Sequence, residues 1–167
     1  MLGNFRKKIR RFKSLLFTSF AKLTIQGRVI FKANGFTKLS KTTHLGENCH
    51  FNGFIINGAG NVVIGDNFHS GENCRLITEN HNYNGVRLPY DSTNVIKDIS
   101  IGDNVWLGRD VTILGGVEIG EGVIIQAGSV VTSSIPPLAI AGGHPAREFS
   151  RRDEEHYFEL KKAQLFQ

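Results

Sequence analysis

At 167 residues, with 40% apolar and 21% charged residues, the chain is long enough for one solid domain and too short for two large ones. That balance excludes a disordered chain, and two cysteines are too few for a disulfide framework. A formal net charge of +5 points to an anionic partner without choosing among a phosphorylated cofactor, a membrane surface and an acidic polymer.

Residues 1–24 carry a helical pattern. Phe5, Ile9, Phe12, Leu16, Phe20 and Leu23 recur at spacings of three and four, while Arg6, Lys7, Lys8, Arg10, Arg11 and Lys13 crowd the remaining positions. Two readings stand side by side: a helix capping the open end of a β-structure, and an interfacial helix on an anionic membrane. No stretch is long enough to span a bilayer, and the N-terminus lacks the unbroken apolar core of a secretory signal.

From about Ile25 a period of six begins irregularly, then sharpens at Leu45, Phe51, Ile64, Ser70 and Leu76. One residue too many between Phe51 and Ile64 predicts a corner bulge near Gly58 or Gly60. Residues 78–98 contain no hexads and are rich in polar and turn residues, so they read as a loop expelled from a regular structure, a feature that is usually functional. The period then resumes at Ile101, Leu107, Ile113, Ile119, Ile125 and Val131, with glycine following at Gly102, Gly108 and Gly120. Six fits neither the 3.6 of a helix nor a simple alternation. It predicts an all-β parallel β-helix in which three hexads make a turn of about 18 residues and equivalent residues stack about 4.8 Å apart. The ladder is expected to end at Pro136-Pro137, which lack N–H groups. Residues 152–165 read as a short helix, with Tyr157, Leu160 and Gln164 on one side, packing across the last rungs. The predicted organisation is thus a basic helix over 1–24, a β-helix over 25–148 and a helical tail over 149–167.

His81, at the start of the expelled loop, stands where a side chain reaches both a rigid wall and a bound ligand, and a histidine there suits a general base for an alcohol acceptor. Glu79 or a backbone carbonyl is expected to hold its other ring nitrogen. Cys49 and Cys74 fall on different faces, predicting two reduced thiols and a cytoplasmic protein. His50 and His69 fall at equivalent positions on adjacent rungs, read as a surface pair because no third metal ligand lies at compatible spacing. Trp106 is a packing residue or the lining of a groove. Arg147, Arg151 and Arg152, after the proline stop, are a solvated face or a phosphate grip.

The run IGDNVWLGRDVTILGGVEIGEGVIIQAGSVVTSSIPPLAIAGGHPAR resembles the hexapeptide-repeat acyltransferases, in particular the sugar O-acetyltransferase branch that holds maltose, galactoside and nodulation enzymes, xenobiotic acetyltransferases, and capsule and O-antigen enzymes. The resemblance is dense over residues 64–148, looser from 25 to 63 and absent from the N-terminal helix. It implies a left-handed β-helix, an exception to the usual crossover hand, assembled as a homotrimer with active sites between subunits. It further implies acetyl-CoA as co-substrate, no metal, no nucleic acid, and direct acetyl transfer to a sugar or polysaccharide hydroxyl with His81 as general base. Carried over by position, Ala127 and Thr132 correspond to contacts with the pantetheine arm, Trp106 to an aromatic beside it, and Arg147 to a basic residue near the nucleotide phosphates. Arg109 and Ser133 lie in the same groove but depart from relatives, which often carry a small residue and a Lys there; His144 stands where Asn is frequent. Asn82, Tyr83, Arg87, Tyr90 and Asp91 decorate the loop as acceptor contacts. The implied location is the cytoplasm, with peripheral contact at the inner face of the membrane through the N-terminal helix. Two other readings remain: a non-catalytic trimeric scaffold, and a metalloenzyme like the γ-class carbonic anhydrases.

Overall fold

The computed structural model describes residues 2–26 and 30–167, with side chains from residue 7 onward. Residues 27–29, part of the irregular start of the repeat, lie outside the described residues. The aliphatic run does what its period requires: Ile101, Leu107, Ile113, Ile119, Ile125 and Val131 each expose 3% or less. They form the inward column of a parallel β-solenoid, where each buried Leu or Ile contributes about 1.5–3 kcal/mol.

Three walls emerge from the strand register. The first climbs through Phe31, Cys49 and His50, then through His69, Trp106, Ile124 and Ile140. The second climbs through Lys38, Ile55, Arg75, Thr112 and Val130. The third climbs through Thr43, Val62 and Ile99, then pairs Ser100 with Glu118 and Ile119 with Ile135. Cys49 and Cys74 sit on the first and second walls respectively, both buried and unlinked, and burial pushes each thiol up to about 11. Where the third wall turns into the first, Asn48, Asn67 and Asn104 adopt left-handed backbone at φ 53°, 56° and 58°. Asparagine tolerates that conformation because its short amide finds local partners. Asn48 donates to Asn67 Oδ1 at 2.9 Å, and Asn67 donates to Asn104 Oδ1 at 3.0 Å.

The bulge expected near Gly58 or Gly60 is present and wider than one residue. The offset between the first two turns changes from 17 at Lys38↔Ile55 to 19 at Thr43↔Val62, so the corner between them gains two residues. The ladder does not stop at the prolines. Ala139–Gly143 pairs parallel with Ile124–Ile125 as a sixth strand of the first wall, and Ala146–Arg151 then folds back antiparallel on it. Pro136 and Pro137 occupy an exposed corner, where a missing N–H breaks no ladder.

Helix α1 (Leu2–Lys22) covers the first turn. The Thr18 hydroxyl accepts from Ala33 N–H at 2.9 Å, and Thr24 accepts from Leu39 N–H at 3.0 Å, satisfying donors that no lower strand meets. The face that docks is made of Phe17, Thr18 and Ala21; the apolar line Ile9, Phe12, Leu16, Phe20 and Leu23, which the sequence leaves open between a capping face and a membrane face, is exposed. Helix α2 (Glu154–Lys162) is shorter than expected and leaves Gln164 beyond it. Its buried Tyr157 donates to Glu121 Oε1 and accepts from Asn104 Nδ2, both at 2.8 Å. The tail after it reaches back to Asn48, which donates to the Gln167 carbonyl at 3.0 Å, so the C-terminus spans most of the column rather than the last rungs alone.

Candidate functional site

The expelled segment is an arm rather than an irregular loop. Glu79–His81 and Asn94–Ile96 pair antiparallel, and the chain between them forms the tip. It leaves the solenoid between the second and third walls, at the wide corner 58–61, and that corner grips its root. Buried Thr78 donates its hydroxyl to Asn57 O at 3.1 Å and accepts from Gly60 N–H at 3.2 Å, while Thr78 O accepts from Lys97 N–H at 2.9 Å. Asp98 accepts from Asn61 N–H at 2.7 Å. Gly58, at φ 105°, has no room for a side chain: a Cβ would meet Thr78 Oγ1 at 2.5 Å. Gly60 is as tight, with Lys97 O at 2.6 Å from where a Cβ would stand. The spacing in the sequence marks the corner and the loop but not that one exists to hold the other. The signal was their adjacency in space, which the register alone reveals.

His81 is exposed on the first strand of the arm, its ring stacked on Tyr90 with centroids 3.9 Å apart and planes 5° from parallel. Glu79 does not hold it. That carboxylate accepts from Ala59 N–H at 3.0 Å and Asn94 Nδ2 at 2.5 Å, bracing the arm instead. Asn82 and Asp91, expected as acceptor contacts, have their polar atoms engaged within the tip. Asn82 Oδ1 accepts from Asn84 N–H and its amide donates to Thr93 Oγ1, both at 3.1 Å. Asp91 accepts from the Thr93 hydroxyl at 2.5 Å, Thr93 N–H at 2.8 Å and Val86 N–H at 3.0 Å, and these bonds hold its carboxyl below the usual range. Tyr83 and Arg87 remain exposed at the tip.

The six expected cofactor residues divide around the prism. Thr132 and Ser133 continue the arm's own corner upward, after Val131 of the second wall. Arg147 reaches Ser133 Oγ at 3.4 Å, fixed by a 2.8 Å bond to Ala146 O. Ala127 and Arg109 lie at the corner between the first and second walls. Gln126 and Gly128 send their N–H groups to Ala141 O and Arg109 O, while the Ala127 N–H has no partner among the described residues. It is exposed above Gly108, where a Cβ would stand 2.5 Å from that nitrogen. Arg109 is already paired with Glu72 and, at 3.7 Å, with Asp110, so a ligand phosphate would compete with two carboxylates; the pairs are exposed and individually weak. Trp106 stands on the first wall, 52% exposed, in a cleft with His69, Arg152 and Tyr157. His50 and His69 face each other on this wall at 5.3 Å, and no group of three metal-ligating side chains occurs among the described residues. His144, Arg151 and Arg152 are separate from the arm: Arg151 binds Pro137 O and Arg152 binds Gly122 O, both at 2.6 Å.

Comparison with known proteins agrees with this architecture. Residues 98–133 match the family model described as bacterial transferase hexapeptide (six repeats). Galactoside O-acetyltransferase of Escherichia coli K12 is 37% identical over 126 residues, covering 72% of this chain and 61% of that protein. A putative acetyltransferase of Schizosaccharomyces pombe is 39% identical over 94 residues, covering 56% of this chain and 45% of its own. The chain therefore spans about half to three fifths of these curated relatives. Among solved structures, a galactoside acetyltransferase in complex with coenzyme A superposes with a TM-score of 0.61 at 29% identity, covering 80% of this chain and 66% of that one. A hexapeptide-repeat acetyltransferase of Vibrio cholerae complexed with acetyl-CoA gives 0.60 at 26% identity, covering 80% and 74%.

Proposed function

The chain is a hexapeptide-repeat protein with the fold of the hexapeptide acetyltransferases, and we propose that it transfers the acetyl group of acetyl-CoA to a hydroxyl of a sugar or polysaccharide precursor. The observation that carries this reading is the histidine-bearing arm held at a rigid corner, beneath the Ser133–Arg147 pair. A scaffold needs neither.

In the proposed reaction His81 takes the acceptor hydroxyl proton, and the alkoxide attacks the thioester carbonyl carbon. The tetrahedral oxyanion is met by a backbone N–H, its C–S bond breaks, and the CoA thiolate leaves and recovers the proton from the imidazolium. The Tyr90 ring supports the imidazole face, and Tyr83 and Arg87 are the free contacts for the acceptor. Arg147 with Ser133 suits the nucleotide phosphates, the unpartnered Ala127 N–H and the Thr132 hydroxyl suit pantetheine, and Trp106 supplies apolar surface.

Residues on different sides of one convex prism cannot close on a single ligand. The arrangement is completed in a homotrimer, where the arm of one subunit faces the Trp106 wall and Ala127 corner of the next. The proposed setting is the cytoplasmic face of the membrane, where sugar precursors carried on lipid are within reach.

Calorimetric titration with acetyl-CoA and CoA tests this without knowledge of the acceptor. Saturable binding near one molecule per chain is expected. His81→Ala should keep that affinity and lose about 10²–10⁴ in turnover on any acceptor found. Absence of saturable binding at millimolar cofactor would overturn the reading.

A further inference from the structure

Helix α1 is apolar on the side facing away from the protein. It touches the first turn through Phe17, Thr18 and Ala21, and Thr18 bonds the Ala33 backbone. At about 3.6 residues per turn, Phe12, Leu16 and Leu23 fall on the opposite side of the helix from Thr18 and Ala21. Phe12 is 63% exposed and Leu23 81%. Ile9, Leu16 and Phe20 extend the stripe, and Phe20 meets the exposed Phe36 ring of the first strand at 5.2 Å, so the patch continues onto the solenoid end. A helix whose only task was to cap would carry its large apolar residues inward.

Charge singles out the same end. The first acidic residue of the chain is Glu47; the 46 residues before it carry 11 Lys and Arg, whereas the remainder carries 9 against 15 Asp and Glu. Lys8 and Lys13 are exposed on the two flanks of the stripe at helical spacing, and Lys7, Arg10, Arg11 and Lys22 are exposed farther round the helix. Among the described residues no helix is long and apolar enough to cross a membrane, so the pattern is one that lies on a surface rather than spanning it.

We infer that α1 docks the protein on an anionic lipid surface, with Ile9, Phe12, Leu16, Phe20 and Leu23 entering the headgroup boundary and Lys8 and Lys13 beside them meeting lipid phosphates. An anionic bilayer matches both the apolar stripe and the positive charge of an end that carries no acidic residue before Glu47. Because the docked face of Phe17, Thr18 and Ala21 does not include the stripe, the helix binds lipid without leaving the solenoid end it covers. Lipid docking is independent of the transfer reaction.

Flotation of the full chain with phosphatidylcholine vesicles, with and without phosphatidylglycerol, tests it. Binding is expected to be at least about tenfold tighter to the anionic vesicles and to weaken as salt is raised. Phe12→Ser with Leu16→Ser, and separately Lys8→Glu with Lys13→Glu, should each reduce binding at least about tenfold. Both pairs are exposed, so the melting curve and the CoA titration should not move; a failed CoA titration with intact flotation would count against the transferase reading alone. No binding to anionic vesicles, or equal binding to neutral ones, would overturn the inference. So would a larger assembly in sedimentation velocity that Phe12→Ser with Leu16→Ser dissolves, since the stripe would then bind a second copy.

Discussion

Thr78→Val replaces one hydroxyl by a methyl of similar volume at a position 1% exposed, beneath the root of the arm. Two hydrogen bonds disappear, but their losses are unequal. Asn57 O keeps the Thr78 N–H at 2.8 Å, so losing the hydroxyl donor leaves no orphan acceptor. Gly60 N–H has its acceptor in that hydroxyl, in a corner too tight for a side chain, and would be left unsatisfied. A buried donor without a partner costs about 1–3 kcal/mol. At a central value of about 2 kcal/mol, the melting temperature of a chain of this size falls by roughly 4–8 °C. The same corner sets the position of the arm, so turnover should fall further than stability explains, while CoA affinity stays within about twofold because Thr132 and Arg147 lie on turns above the clasp and Ala127 lies at another corner. Calorimetry, a CoA titration and an acetyl-transfer assay on one preparation read all three quantities. An unchanged melting temperature would refute the assignment of Thr78 as the clasp; a lowered one with full turnover would refute the claim that the clasp aims His81.

Two further predictions rest on the solenoid itself. Burial first, and then the neighbouring His69 charge and Lys32, hold His50 below its usual 6.5; burial and Lys32 do the same for His69. A base whose folded pKa is depressed binds fewer protons than the unfolded chain, so stability is full above about pH 6.5 and declines as pH falls below it. Urea midpoints measured from about pH 7.5 to about pH 5 should fall more steeply for the wild type than for His50→Gln with His69→Gln; parallel slopes would refute this. Gly108 and Gly128 should respond in opposite ways. Gly108→Ala drives a Cβ into Ala127 N at 2.5 Å and should destabilise by about 1–3 kcal/mol. Gly128 has φ 73° with nothing within 4 Å of a Cβ, and the corner below it holds Asn73 and Asp110 at φ 58°. Gly128→Asn should therefore be near neutral in a denaturant melt.

The six-residue period by itself determined the solenoid, its inward column and the interruption at 78–98, because a repeat must place every sixth side chain in the same environment or lose its core. It also located the wide corner, although register shifts within the strands, between Ala33 and Gly35 and between His50 and Asn52, absorb part of the offset. What it could not determine were the contacts made perpendicular to the repeat. That Gly58, Gly60, Thr78 and Asp98 clasp the arm, and that Asn82, Glu79 and Asp91 brace it, depends on which turns the register sets side by side. The sixth strand after Pro137 was hidden because proline forbids a ladder donor but not a corner. In α1 the sequence specified an apolar stripe, and only the tertiary structure decided which way it faces. The Thr18 hydroxyl in α1 and the Thr24 hydroxyl just after it satisfy strand-edge donors that phenylalanine and leucine cannot. The face bearing Thr18 with Phe17 and Ala21 therefore turns inward, and the larger apolar stripe is left for another surface.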